Sequence, residues 1–181
     1  MISWAVMLVF ALRVLYQVAR GYIKKPVVKV KGGTRSVDID FRCSPIDIDV
    51  FMHMNNARYL HMAELARWRT MVASNSASRI FSKEGMVFLA AENTVQYYRP
   101  IAPFQRFVIS TTLTAPKDSD KWFYYTHTFR EHDKDVKPGG DPRVFAEVVC
   151  RAVVKQRNGK TIKPSQLVED SEFSRQWVRL E

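Results

Sequence analysis

Asp47-Ile48-Asp49-Val50-Phe51-Met52-His53-Met54-Asn55-Asn56-Ala57-Arg58-Tyr59 gathers two carboxylates, an imidazole and two carboxamides into ten positions just ahead of a helix-like pattern. The stretch has two readings. In one, the asparagine pair opens a helix whose unpaired backbone N–H groups face the side chains collected before it, an arrangement able to polarise a carbonyl. In the other, Asn55 or Asn56 is an N-cap, and Asp47, Asp49 and His53 are loop residues satisfying their own backbone. Both readings start a helix here, and the rest of the chain is organised around that start.

Downstream, the helical pattern runs from about Ala57 to Val72. Tyr59, Met62, Ala63, Ala66 and Thr70 make one stripe, and Leu65 and Trp68 widen the apolar arc, so the helix is expected to be covered on more than one side. After a polar break over 74–78, strand patterns follow at about 86–98, 104–115, 121–131 and 143–155. Phe107, Ile109, Thr111 and Leu113 alternate inward, as do Val144, Ala146, Val148, Cys150, Ala152 and Val154. The connections at 115–120 and 133–142 are short and turn-rich, which suits antiparallel hairpins rather than helical crossovers.

Upstream, Val37, Ile39, Phe41 and Cys43 alternate with Asp38, Asp40 and Arg42 in a half-buried strand that Pro45 ends or bends. One strand, one long helix rich in small residues and four antiparallel strands predict an α+β fold, a curved antiparallel sheet wrapped around a long central helix. The tail from Pro164, with Leu167, Phe173 and Trp177, is expected to form a short helix.

The net charge of +10 belongs to the N-terminus: residues 1–37 hold seven of the 28 basic residues and no acidic one, leaving 21 basic against 18 acidic elsewhere. So mild a balance, without a basic cluster interleaved with stacking aromatics, excludes nucleic acid as a partner. Residues 1–12 are almost wholly apolar, and the pattern continues past Arg13 to Ala19. A helix of that extent would be roughly 28 Å long, about the hydrocarbon thickness. Arg13, Gln17, Arg20 and Lys24 share one face, which could snorkel to headgroups.

The charge follows the apolar run instead of preceding it, which favours an uncleaved membrane anchor over a signal peptide. The positive-inside rule then leaves the following domain on the cytosolic face, with the endoplasmic reticulum as the expected membrane and the mitochondrion as the alternative. A surface-lying amphipathic helix is the second reading of the same segment. The chain therefore divides into an N-terminal anchor and basic linker at 1–34 and a folded domain at 35–181.

Cys43 and Cys150 fall inside strand patterns without metal-ligand spacing and read as buried free thiols. Asp47, Asp49 and His53 would need a further ligand to hold a metal, and no other Cys/His/Asp cluster offers one, so neither metal nor cofactor is expected. Glu64 reads as an ion-pair partner of Arg67 or Arg58. His127 and His132 read as packed or exposed.

Asp47, Asp49, His53, Asn55, Asn56 and Tyr59 together resemble the pattern D-x-D-x-x-G-H-x-N-N-x-x-Y of the 4-hydroxybenzoyl-CoA thioesterase branch of the hotdog-fold superfamily. Tyr97-Tyr98-Arg99-Pro100 resembles a second feature of that family, a strand ending in Tyr-x-x-Pro. The apolar N-terminus, the run from His53 to Leu60 and the pair Pro103-Phe104 are similar to the membrane-anchored group called thioesterase superfamily member six. The resemblance covers roughly residues 35–157.

What it implies is a hotdog fold and hydrolysis of an acyl-CoA, fatty or aromatic, to free acid and CoA. Asp49 would act as general base or nucleophile, with Asp47 in support and His53 positioning substrate or water. The amides at the start of the central helix would polarise the thioester carbonyl. Met54, Asn55, Asn56 and Tyr59 would border the substrate, the two asparagines mainly as caps, and the site would be completed across a homodimer or a dimer of dimers. One position departs from the pattern: Met52 stands where the family has Gly. Glycine lets a backbone turn sharply against a ligand, so Met52 is expected to alter the amide that should face the thioester. That departure motivates the alternative of a non-catalytic hotdog protein that binds acyl thioesters or a partner at a membrane.

Overall fold

A computed structural model of the protein describes residues 4–23, 28–31, 34–73, 87–114, 121–156 and 158–163. Helix α1 spans Trp4–Ile23 and helix α2 spans Asn56–Ala73. The strands are β1 (Val28–Lys31), β2 (Thr34–Arg42), β3 (Val87–Tyr97), β4 (Arg106–Thr114), β5 (Phe123–Glu131), β6 (Val144–Lys155) and β7 (Thr161–Ile162). They form one antiparallel sheet in the order β1-β2-β4-β5-β6-β3, with β7 added to β6. The short tail helix expected beyond residue 163 lies outside the described residues.

The alternation read from the sequence is the alternation of the sheet. Along β5, Phe123, Tyr125, His127 and Phe129 are buried, and the residues between them are only half covered. Val37 and Ile39 on β2, Phe107 and Ile109 on β4, and Ala146, Val148, Cys150 and Ala152 on β6 complete the same inner face. Helix α2 lies on it, burying Tyr59, Met62, Ala63, Leu65 and Ala66. Tyr59 tilts against Phe129 at 5.1 Å, and Arg67 sits over the Tyr125 ring while donating to Cys150 Sγ. Alanine at 63 and 66 brings the helix backbone close to the sheet, and a larger side chain there would overpack a dense core.

Two features differ from the sequence reading. The strand β1 pairs with β2 through Lys31 and Thr34, so the segment read as a basic linker joins the sheet. Helix α1 also packs its polar stripe inward, against α2. Gln17 and Gly21 are buried, and a Cβ added to Gly21 would come within 3.0 Å of Val72 Cγ1, so glycine permits the close crossing. Arg13 points into the domain instead of snorkelling, because a buried carboxylate awaits it there. Trp4, Leu8, Leu12, Leu15 and Ile23 face outward, Trp4 and Ile23 being 85 % exposed. Among the described residues no helix is long and apolar enough to cross a membrane.

At the far edge of the sheet, β3 has β6 on one side and nothing described on the other. Both its faces are largely exposed, with Val87, Leu89 and Tyr97 among the uncovered apolar side chains.

Candidate active site

The site is built on the link between β2 and α2. Pro45 starts a single turn of 3-10 helix, Pro45–Asp47, in which Asp47 N donates to Ser44 O at 2.8 Å. The chain then doubles back in a small hairpin: Ile48 bridges Met54, Asp49 N donates to His53 O at 3.0 Å, and Met52 N donates to Asp49 O at 3.1 Å. A three-residue hairpin loop of this kind ends on a residue in the left-handed region, the position glycine usually takes. Met52 takes it here, at φ 58°. Met52 therefore supplies, without a glycine, the left-handed φ that such a turn calls for. The methionine side chain is 67 % exposed, so it meets no steric opposition beyond its own backbone. The cost is the usual left-handed penalty of roughly 1–2 kcal/mol.

Asp47 and Asp49 are separated by this change of direction. An extended stretch would have pointed both carboxylates the same way, but the 3-10 turn sends Asp47 inward and leaves Asp49 on the hairpin. The Asp47 side chain is fully buried. Arg13 donates to it twice, Nη1 to Oδ1 at 2.8 Å and Nη2 to Oδ2 at 2.9 Å, while Ser44 N approaches Oδ2 at 3.3 Å and Arg58 Nε lies 3.9 Å from Oδ1. This is the planar two-pronged geometry in which arginine matches a carboxylate best. Asp47 is thus sealed from any ligand, and its support for the site is structural.

The Asp49 side chain keeps 18 % exposure. Its Oδ1 accepts from Phe51 N at 2.9 Å and lies 3.7 Å from His53 Nδ1. His53, 36 % exposed, stacks on Phe51 and has Nδ1 3.3 Å from Met54 O. The remaining expected residues divide by burial. Met54 and Tyr59 are in the core and do not border solvent, because Met54 faces inward from its bridge with Ile48 and Tyr59 packs among Tyr97 and Phe129. Burial also raises the Tyr59 phenol to about 12. Neither residue can meet substrate in this conformation.

Asn55 is the N-cap: its Oδ1 accepts from Ala57 N at 2.9 Å, and its carbonyl accepts from Arg58 N at 2.8 Å. Met54 N donates to Ile101 O and Asn55 N to Asp47 O. Among the described residues, the Asn56 N–H takes no protein acceptor, so it is the helix-start amide left to meet a ligand. The Asn56 carbonyl accepts from Tyr97 Oη at 2.9 Å. The Tyr-x-x-Pro stretch therefore has a physical role, with Tyr97 and Ile101 bracing the helix start from the end of β3.

A cleft of about 350 Å³ opens beside the helix between Phe10 of α1, Leu60, His61 and Glu64 of α2, and Ala90 and Asn93 of β3. Glu64 pairs with Arg67, as the spacing predicts. His61 accepts from Arg58 Nη1 at 3.1 Å and lies tilted against Phe10 with ring centroids 5.2 Å apart. Burial first, then the guanidiniums of Arg58 and Arg13, lower its pKa, with Asp47 opposing. His61, Phe10 and Arg13 were missed as neighbours of the site. The one available signal was an arginine inside an apolar run, which calls for a named partner.

Cys43 and Cys150 are buried free thiols, and burial and Asp47 lift the Cys43 pKa to about 11. Among the described residues no group of His, Cys, Asp and Glu is arranged to hold a metal.

A curled antiparallel sheet around one long helix, entered by a turn that carries a half-open aspartate, is the hotdog architecture of thioesterases. The model of the Thioesterase-like superfamily matches residues 43–177, and the chain belongs to that superfamily. Protein THEM6 of Drosophila melanogaster is 36 % identical over 72 residues, covering 39 % of this chain and 37 % of that protein, so the match spans little more than a third of the relative's length. The fold is similar to that of YbaW Probable Thioesterase from Escherichia coli, with TM-score 0.63 and 21 % identity over 75 % of this chain and 96 % of that one. It is also similar to a mutant 4-hydroxybenzoyl CoA thioesterase complexed with 4-hydroxybenzoyl CoA, with TM-score 0.57 and 14 % identity over 70 % of this chain and 91 % of that one. At these identities the structural likeness is one of fold.

Proposed function

We propose that the protein hydrolyses acyl-CoA thioesters, with Asp49 as general base or nucleophile and the Asn56 amide polarising the carbonyl. The observation that carries this reading is the left-handed Met52. It forms the turn that carries the partly exposed Asp49 carboxylate, on a hairpin whose second arm leads into α2. A positioned carboxylate contributes on the order of 100- to 10,000-fold, and a helix N-terminus stabilises the developing oxyanion. His53, on the same hairpin, orients Asp49 or the attacking water. Arg99, beside the broad cleft of about 720 Å³ that Tyr97 and Tyr98 also line, supplies positive charge suited to CoA phosphates.

The open edge of β3 supports a homodimer, since an eleven-residue strand with exposed apolar side chains invites pairing with a second copy. The outward apolar face of α1, followed by Lys24 and Lys25, supports attachment along a membrane surface.

The test is thiol release from a panel of aliphatic and aromatic acyl-CoAs by the full-length chain and by Asp49→Asn. Turnover that falls at least 100-fold in the variant supports the reading. Full activity in Asp49→Asn overturns it. The hydrogen bond from Phe51 N to Asp49 Oδ1 favours a second reading, in which Asp49 only satisfies its own turn and the protein binds acyl thioesters without cleaving them. Acyl-CoA binding by calorimetry without turnover in the wild type distinguishes that case.

A further inference from the structure

We infer that Arg13, on a helix outside the span matched by the family, is a positioning residue for the active-site turn. The kinetic part of this inference rests on the thioesterase reading above, and the structural part does not. Arg13 belongs to α1, at residues 4–23, whereas the family match begins at residue 43. Its guanidinium nevertheless makes the two short contacts that neutralise Asp47, whose carboxylate has no exposure at all. An isolated carboxylate in that place would carry a large desolvation cost. Arg58 stands farther off, at 3.9 Å.

Asp47 is more than a buried charge. Its carbonyl accepts from Asn55 N at 2.8 Å, its amide donates to Ser44 O, and the next residue, Ile48, bridges Met54. It therefore touches both strands of the hairpin, the arm leading into Asp49 and the arm leading into the Asn56 amide. Anything that shifts Asp47 shifts the proposed carboxylate relative to the proposed oxyanion donor. Arg13 holds Asp47 from the outside, so α1 acts as a brace on the site. The competing view, that the pair merely fastens α1, predicts that loosening α1 elsewhere would have the same effect. Gln17, which accepts from Arg69 at 3.4 Å and does not touch Asp47, provides that comparison.

The experiment is hydrogen exchange by mass spectrometry on the full-length chain as wild type, Arg13→Gln, Arg13→Gln with Asp47→Asn, and Gln17→Ala. The steady-state kinetics of each on the best acyl-CoA are measured alongside. In Arg13→Gln, peptides over 47–57 are expected to exchange at least about 10-fold faster, while β4 to β6 stay at the wild-type rate. kcat is expected to fall about 10- to 100-fold, with KM little changed, as misplacement of catalytic groups does. The double variant, which removes both charges together, is expected to regain most of the protection. Gln17→Ala is expected to speed exchange in 4–23 alone.

If Arg13→Gln does not fold, Arg13→Lys carries the test. It keeps the charge and loses the fork, so an intermediate loss of protection over 47–57 is expected. Wild-type exchange over 47–57 in the arginine variants, or equal loosening of 47–57 by Gln17→Ala, overturns the brace. A wild type without turnover sinks the thioesterase reading and leaves the exchange result to decide this one.

Discussion

Asp47 and Asp49 are the same residue type two positions apart, yet they live in opposite surroundings. Asp47 is closed in by Arg13, Ser44 and Arg58, with no exposure, whereas Asp49 sits on the hairpin with its carboxylate partly open and His53 3.7 Å away. The difference comes from the single 3-10 turn that Pro45 initiates. A sealed carboxylate with an arginine fork can hold a backbone in place, and a half-open one next to a helix start can meet a substrate. Spacing alone distinguishes neither role.

The comparison breaks first at Asp49. Asp49→Asn is expected to lower thioester hydrolysis by on the order of 100- to 10,000-fold while leaving the melting temperature within about 2 °C, measured by thiol release and calorimetry. Asp47→Ala should do the reverse in kind. Removing one partner of a buried ion pair is expected to cost about 3 kcal/mol of stability, read from denaturant unfolding, with the largest local loosening over 47–57.

Another buried polar group, His127, tests whether neutrality can replace pairing. Its Nδ1 lies 2.9 Å from Thr111 Oγ1, its Nε2 has no hydrogen-bond partner among the described residues, and burial, helped by Arg67, holds its pKa at about 3. An unfolded histidine titrates near 6.5. Between those values the unfolded chain binds the extra proton, so stability is full above about pH 6.5 and is lost as pH falls toward 3. Roughly 2 kcal/mol should go by pH 5, and His127→Gln should remove that component of the pH dependence of unfolding.

The smallest effect is expected at Met52. Met52→Gly removes the left-handed penalty and should stabilise the fold by about 1 kcal/mol or less, because glycine also gains freedom in the unfolded chain. Its turnover should stay within about 3-fold of wild type, since the turn is already formed. A large gain in turnover would show that Met52 holds the hairpin away from its working geometry.

Much of this architecture is legible in the residues alone. Period-two alternation names the buried faces of β2, β4 and β6, since a strand with one face on a core must alternate. An asparagine cap at 55 or 56 is readable because an asparagine before a helical stripe can satisfy the first free amides, and the structure selects Asn55. The Glu64–Arg67 pair follows from helical spacing, and the buried cysteines from their place in strands. Other features are hidden by distance along the chain. Arg13 and Asp47 are 34 residues apart, and no local pattern says which face of α1 will turn inward. The apolar run shows that a helix forms at 4–23, but hydropathy counts side chains without saying that Gln17 and Gly21 turn inward. Tyr59 matches a motif and turns out to be core, since a motif records residue types and not the direction of a side chain.

By itself, the sequence determined the alternating strands, the helix rich in alanine that they enclose, and the point where that helix starts. These rest on periodicity and capping, which act over a few residues. Only the tertiary structure decided which aspartate is buried, that Met52 adopts a left-handed conformation, and that α1 brings Arg13 to the turn. Those depend on groups brought together from distant parts of the chain. There, desolvation of a carboxylate must be offset by whichever charge the fold delivers to it.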